Sequence, residues 1–147
     1  MSIELRIKRL DEGVSIPKYQ HEGDAGLDLA SRVDLILQPR QRAMIPTGLA
    51  LAIPKGCAGF VLPRSGLAAR NGIAMVNAPG LIDSGYRGEV TIVLINTDEK
   101  EPFTIRRGDR IAQLVVQRIE NVSPVAVDDL DSTPRGAGGF GSTGVAG

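Results

Sequence analysis

A chain of 147 residues, 42% of them hydrophobic, suits one domain that buries its own core. Seventeen basic residues balance seventeen acidic ones, which excludes the broad basic surface of a general nucleic-acid binder but leaves room for a small anion held by a few arginines. One cysteine, Cys57, excludes an intrachain disulfide framework and favours a reducing, cytoplasmic setting. No apolar run approaches the roughly 18 residues that cross a bilayer, and the alternating charges of residues 1–8 do not read as a signal peptide.

In chain order, Ile3, Leu5 and Ile7 alternate with Glu4, Arg6 and Lys8, which predicts a half-buried strand over 3–8. Residues 33–37 predict a second strand, ended by Pro39. Residues 49–53 predict a third, ended by Pro54, and 58–62 a fourth, ended by Pro63. Over 65–70 a short helix is expected, with Ser65 as its cap. Residues 72–76 predict a strand. The β-branched run 89–95 predicts a central strand buried on both faces. Residues 103–105 alternate before an Arg107-Gly108-Asp109 turn, and 111–119 read as strand again. No longer stretch keeps a helical period. Glycine and proline number 18 and 9 and are scattered as punctuation, so an all-β sandwich or barrel is expected. From Val122 onward Ser, Pro, Asp, Thr and Gly dominate. A folded domain over 1–121 and a C-terminal arm over 122–147 without a core of its own are therefore expected.

Five segments carry more specific residues than turns require. In Asp24-Ala25-Gly26-Leu27-Asp28-Leu29, two aspartates four apart serve either a metal or a turn entering a strand. In Pro63-Arg64-Ser65-Gly66, a forked guanidinium, a hydroxyl and an unobstructed backbone N–H converge on one anion, unless the segment is an ordinary capped turn. Residues 77–89 read as a β-hairpin with Ser84-Gly85 near its tip. A hairpin needs Gly and Asn but has no use for Asp83, Tyr86 and Glu89 together. In 108–114, Gln113 is either a buried amide that must find partners or a solvent-facing position of an alternating strand. The last segment, 135–144, has the composition of a glycine-rich tail. It also carries Arg135, Phe140, Ser142 and Thr143, an arginine, a ring and two hydroxyls that a lid would bring to a phosphorylated base.

These five segments resemble, in order and at compatible spacing, the five sequence motifs of the trimeric dUTP pyrophosphatase (dUTPase) family. The resemblance spans residues 24–144. It implies a single-domain β jelly roll with a flexible C-terminal arm, assembled as a homotrimer with active sites at subunit boundaries. It implies Mg²⁺-dependent hydrolysis of dUTP to dUMP and pyrophosphate, which limits uracil incorporation into DNA and supplies dUMP for thymidylate synthesis. No nucleic acid or membrane partner is implied.

By the same resemblance, Asp83 deprotonates the water that attacks the α-phosphorus, and Asp28 grips a metal-bound water. Arg64, Ser65, Gly66 and Gln113 hold the phosphates, and Arg135, Ser142 and Thr143 arrive with the arm. Asn77 and the backbone of Leu81, Ile82 and Asp83 read the uracil edge. Tyr86 lies against the deoxyribose, Phe140 stacks on the base, and Thr91 is a further contact. Arg110 is left unassigned. A dCTP deaminase shares the Pro-Arg-Ser turn, but the 82–86 hairpin and the complete glycine-rich arm favour the dUTPase. A binder that has lost catalysis would need neither Asp83 nor Asp28, and a purely structural β trimer would not need Arg64, Tyr86 or Phe140.

Overall fold

In the computed structural model, which describes residues 2–147, short runs rich in apolar residues form the strands. The strands are β1 (Arg6–Arg9), β2 (Leu27–Ala30), β3 (Leu35–Leu37), β4 (Arg42–Ala52), β5 (Cys57–Leu62), β6 (Ile73–Met75), β7 (Gly80–Ile82), β8 (Glu89–Asn96), β9 (Phe103–Ile105) and β10 (Arg110–Arg118), with one helix, α1 (Ser65–Asn71), between β5 and β6. One four-stranded sheet has the order β1-β4-β8-β6 and another the order β2-β10-β5-β7. Strands β3 and β9 form a ribbon. All the pairings are antiparallel. Both sheets and the ribbon feed one apolar cluster that includes Leu29, Leu37, Ile45, Leu51, Val61, Ile92, Ile105 and Leu114. This mostly-β architecture agrees with the jelly-roll expectation. No helix among the described residues is long and apolar enough to cross a membrane.

Several expectations need correction. Strand β8 is central but not buried on both faces: Val90, Ile92, Leu94 and Asn96 are buried, whereas Glu89, Thr91, Val93 and Ile95 are half-buried. Its β-branched composition hides a two-sided pattern, because Thr91 and Val93 suit a pleated surface at partial exposure as well as at full burial. Strand β1 begins later than the alternation suggests, and Ile3 is 49% exposed. Strand β4 is longer than 49–53 because it runs through Pro46 and Gly48. Pro46 lies beyond the stretch of β4 that pairs with β1, where a missing N–H costs no ladder bond. Gly48, at φ +73°, sits in the register shift between Pro46 and Ala50.

Ser65 does not cap α1. Arg64 holds the N-cap position in extended backbone, and no side chain bonds to the first turn; Gly72, left-handed at φ 63°, closes the other end. Nor is 77–89 a hairpin. Strand β7 pairs with β5 and β8 with β4 and β6, so residues 83–88 cross from one sheet to the other. Turn residues predict a reversal but not which sheet each flanking strand joins.

The amino-terminal segment is tied down by an ion pair. Asp11 accepts from both terminal nitrogens of Arg107, at 2.8 and 3.0 Å, and that guanidinium also donates to the Arg32 carbonyl at 2.7 Å. These bonds, with a further one from the Gly13 N–H, hold the Asp11 carboxyl down to about 2. Beyond Ile119, whose N–H donates to the Gly56 carbonyl, the hydrogen bonds of the described residues stay within the arm.

Candidate active site

Two groups of side chains stand out on the body of the molecule. The first lies where β7 passes into β8. Asn77, Leu81, Ile82, Asp83, Tyr86 and Thr91 line one cleft of about 290 Å³, together with Met44 and the buried Val61, Met75 and Val90. Six residues singled out from the sequence thus meet at one place. Ile82 is buried and fixes the end of β7, so that Asp83 leaves the sheet and is exposed. Tyr86 donates its hydroxyl to the Glu89 carbonyl at 3.0 Å, and its own N–H bonds the Asp83 carbonyl at 3.1 Å. A side chain on Gly88 would collide with the Tyr86 ring, so the ring lies over that glycine. The Glu89 carboxylate accepts from the Gly48 N–H at 2.8 Å and pairs with Arg32 at 3.2 Å. Glu89 therefore anchors the start of β8, and its backbone receives Tyr86.

The second group crosses the other sheet. Asp28 on β2 lies opposite Gln113 on β10, which lies opposite Leu62 on β5. Just past Leu62, Pro63 leads into Arg64 and the first turn of α1, where Ser65 and Gly66 present N–H groups that have no acceptor inside the helix. The Asp28 carboxylate takes Arg110 Nη1 at 3.0 Å and stands 3.6 Å from Arg64 Nε. Arg64 donates in turn to the Arg110 carbonyl at 3.0 Å. Gln113 is half-buried, and its amide donates to the Pro63 carbonyl at 3.0 Å, so the polar position inside β10 is a partnered amide. A Cβ at Gly26 would come within 2.5 Å of Gln113 Oε1, so Gly26 leaves the room in which that amide sits. Two guanidiniums against one carboxylate leave this cluster net positive, as an anion site must be.

Asp24 is exposed and accepts the His21 N–H at 2.8 Å, so it serves a local turn and not this cluster. Arg135, Phe140, Ser142 and Thr143 are exposed on the arm and reach neither group: Arg135 donates to Gly138 at 2.9 Å, and the Phe140 ring is fully exposed at φ 51°. The two body groups are also apart. Asp28 and Asp83 stand three strands apart across one sheet and about four residues apart along it, which at usual strand spacings is about 19 Å. Arg110 takes its place beside Asp28 without a sequence signal, because an arginine opening a strand is ordinary. Met44, 71% exposed at the cleft mouth, carries no signal either.

Comparison with known proteins is consistent throughout. A family model described as dUTPase matches residues 12–144. The chain is 54% identical over 143 residues to the deoxyuridine 5'-triphosphate nucleotidohydrolase of Thermobifida fusca, covering 97% of this chain and 80% of that one. It is 53% identical over 149 residues to that of Mycobacterium leprae, covering 98% and 97%. Among solved structures, a substituted dUTPase of Staphylococcus bacteriophage 80alpha with dUpNHpp superposes at a TM-score of 0.91 with 30% identity, over 98% of this chain and 100% of that one. A substituted dUTPase of phage phi11 of S. aureus, described for its coordination of a structural Mg(II) ion, superposes at 0.82 with 26% identity, over 88% and 100%.

Proposed function

The chain belongs to the dUTPase family and hydrolyses dUTP to dUMP and pyrophosphate, and we propose that it does so at a site completed only where subunits of a homotrimer meet. One observation carries the assembly: within a chain, the cleft around Asp83 and the arginine cluster around Asp28 sit at opposite edges of one four-stranded sheet, about 19 Å apart at usual strand spacings. A nucleotide needs both at once. A neighbouring copy that turns its cluster toward this chain's cleft supplies the missing half. The apolar surface beside the cleft supports this reading, with Met44 71%, Leu81 63% and Val76 51% exposed and in want of a cover. The body over 1–121 carries both halves, and the flexible arm over 122–147 closes over a site of another subunit.

At such a site Asn77 and the backbone of Leu81, Ile82 and Asp83 read the uracil edge. The Tyr86 ring stands against C2′ of the deoxyribose and excludes a 2′-hydroxyl, and Thr91 lines the same wall. Arg64, Ser65, Gly66 and Gln113 of the facing subunit hold the phosphate chain. The arm adds Arg135, Ser142 and Thr143 to the phosphates and stacks Phe140 on the base. Asp83 takes the proton of a water that attacks the α-phosphorus in line; the bond from that phosphorus to the bridging oxygen breaks, and pyrophosphate leaves. Catalysis here is positioning and neutralisation of charge.

The residues fit Mg²⁺ as cofactor. Mg²⁺ keeps several of its waters and is held largely by substrate phosphates, and the shielded Asp28 carboxylate, among the arginines expected to bind those phosphates, is an acceptor for such a water. Asp28 would hold it through a metal-bound water, and the ion would supply charge neutralisation at the phosphates. A cytoplasmic setting rests on the lone, buried thiol of Cys57.

The test is to incubate the protein with Mg²⁺ and, separately, dUTP, UTP, dTTP and dCTP, and to measure its mass in solution. Consumption of dUTP alone, with dUMP and pyrophosphate as products and three chains per particle, is the expected result. Ammonia from dCTP, or full activity from a monomer, would overturn it.

A further inference from the structure

Residues 83–88 hold two of the functional groups proposed above, Asp83 and Tyr86, yet belong to neither sheet. Strand β7 ends at Ile82 in one sheet and β8 begins at Glu89 in the other, so no ladder bonds restrain the segment between them. Two bonds of the segment itself restrain it in part, from the Tyr86 N–H to the Asp83 carbonyl and from the Tyr86 hydroxyl to the Glu89 carbonyl. Arg87 adds two more. Its Nη1 donates to the Ser84 carbonyl at 2.8 Å and to the Tyr86 carbonyl at 2.8 Å. That nitrogen carries two N–H bonds, one for each acceptor. The carbonyls lie on either side of Gly85, a residue whose backbone no side chain restrains. Among the described residues no carboxylate forms an ion pair with Arg87, so its donors are not drawn elsewhere.

We propose that Arg87 is a positioning residue for dUTP hydrolysis: it staples the segment across Gly85 and so fixes Asp83 and the Tyr86 ring relative to each other. The proposal rests on reading Asp83 as the base and Tyr86 as the wall against the sugar. Arg87 acts through Asp83 and Tyr86, by its bonds to the Ser84 and Tyr86 carbonyls. It sets the geometry that aims one group at the α-phosphorus and the other at C2′. Slackening the staple therefore disturbs both the rate and the choice of sugar, whereas loss of a merely structural contact would lower stability alone.

The experiment measures kcat and KM for dUTP and for UTP with Arg87→Met, Arg87→Lys and Tyr86→Ala, alongside the thermal midpoint and mass of each. Arg87→Met, which keeps the apolar stem, should lower kcat for dUTP roughly ten- to hundredfold. It should also narrow the preference for dUTP over UTP, with mass and midpoint close to those of the parent. Arg87→Lys, which keeps donors on a flexible stem without the planar fork, should restore part of both. Arg87→Met with parental kcat and preference overturns the proposal. So does a lower kcat with the preference intact, or an Arg87→Met chain that fails to fold, since an exposed side chain would then be structural. If Tyr86→Ala keeps the preference, the reading of Tyr86 as the sugar wall falls and takes the proposal with it. If Tyr86→Ala loses the preference and Arg87→Met keeps it, only the staple falls.

Discussion

Asp83 and Asp28 sit in opposite surroundings. Asp83 is exposed at the end of β7 and has no ion-pair partner among the described residues, so its lone pairs are open to a water. Asp28 is shielded, with 16% of its side chain exposed, and lies between two guanidiniums. A base must be free to take a proton, and a group that organises arginines must not be. Asp83→Asn should therefore reduce turnover by about 10²–10⁴-fold while dUTP still binds. Single-turnover rates beside a binding isotherm would check this, and loss of binding with the amide would defeat the assignment. The odd residues of the turns were legible in the sequence for a physical reason. A tyrosine and an aspartate in a glycine-rich turn contribute nothing to the turn, so their presence asks for another cause. Arg110 was not legible, because its partner, Asp28, lies on a strand 82 residues earlier in the chain.

At the scale of elements, short strands ending at prolines were readable because proline ends a ladder chemically. Membership of a sheet was not readable: the alternation of β7 is three residues long, and nothing in Gly80-Leu81-Ile82 distinguishes pairing with β5 from pairing with β8. Nor was the length of β4, where a bulge absorbs residues that normally stop a strand. The clamp between the amino-terminal segment and the β9–β10 turn joins two such elements and gives a pH dependence. The Asp11 carboxyl is held down, by Arg107 first and by the Gly13 N–H second, from 3.8 to about 2. A depressed carboxyl stabilises the fold above its unfolded value and loses that contribution as pH falls through its folded value. The contribution is thus present above about pH 4 and is lost between about pH 4 and pH 2. Thermal midpoints taken down this range should fall more steeply for the parent than for Asp11→Asn. Parallel curves would show that the clamp adds nothing.

For the whole molecule, the balanced composition and the arm were evident from the sequence, since a segment of Ser, Pro, Asp and Gly cannot bury a core. The separation of the two groups of the candidate site was not, because it depends on which strands stand between them. Removing residues 136–147 deletes no hydrogen bond to the body, so the shortened chain should keep its fold and its mass in solution while losing most of its activity. Sedimentation beside a dUTPase assay would decide, and a shortened chain that falls to monomers would make the arm an assembly device instead of a lid.

The three-strand gap between Asp28 and Asp83 also has a genetic consequence. In the proposed ring of three, a chain defective at Asp83 and a chain defective at Arg64 should each be inactive alone. When mixed, every hybrid ring contains one boundary at which both contributing halves are intact. Co-refolding equal amounts of two inactive proteins should therefore recover about a quarter of the parental activity, by random assortment around a closed three-fold ring. Two damaged alleles in one cell would cover for each other, and a site confined to a single chain would never allow it.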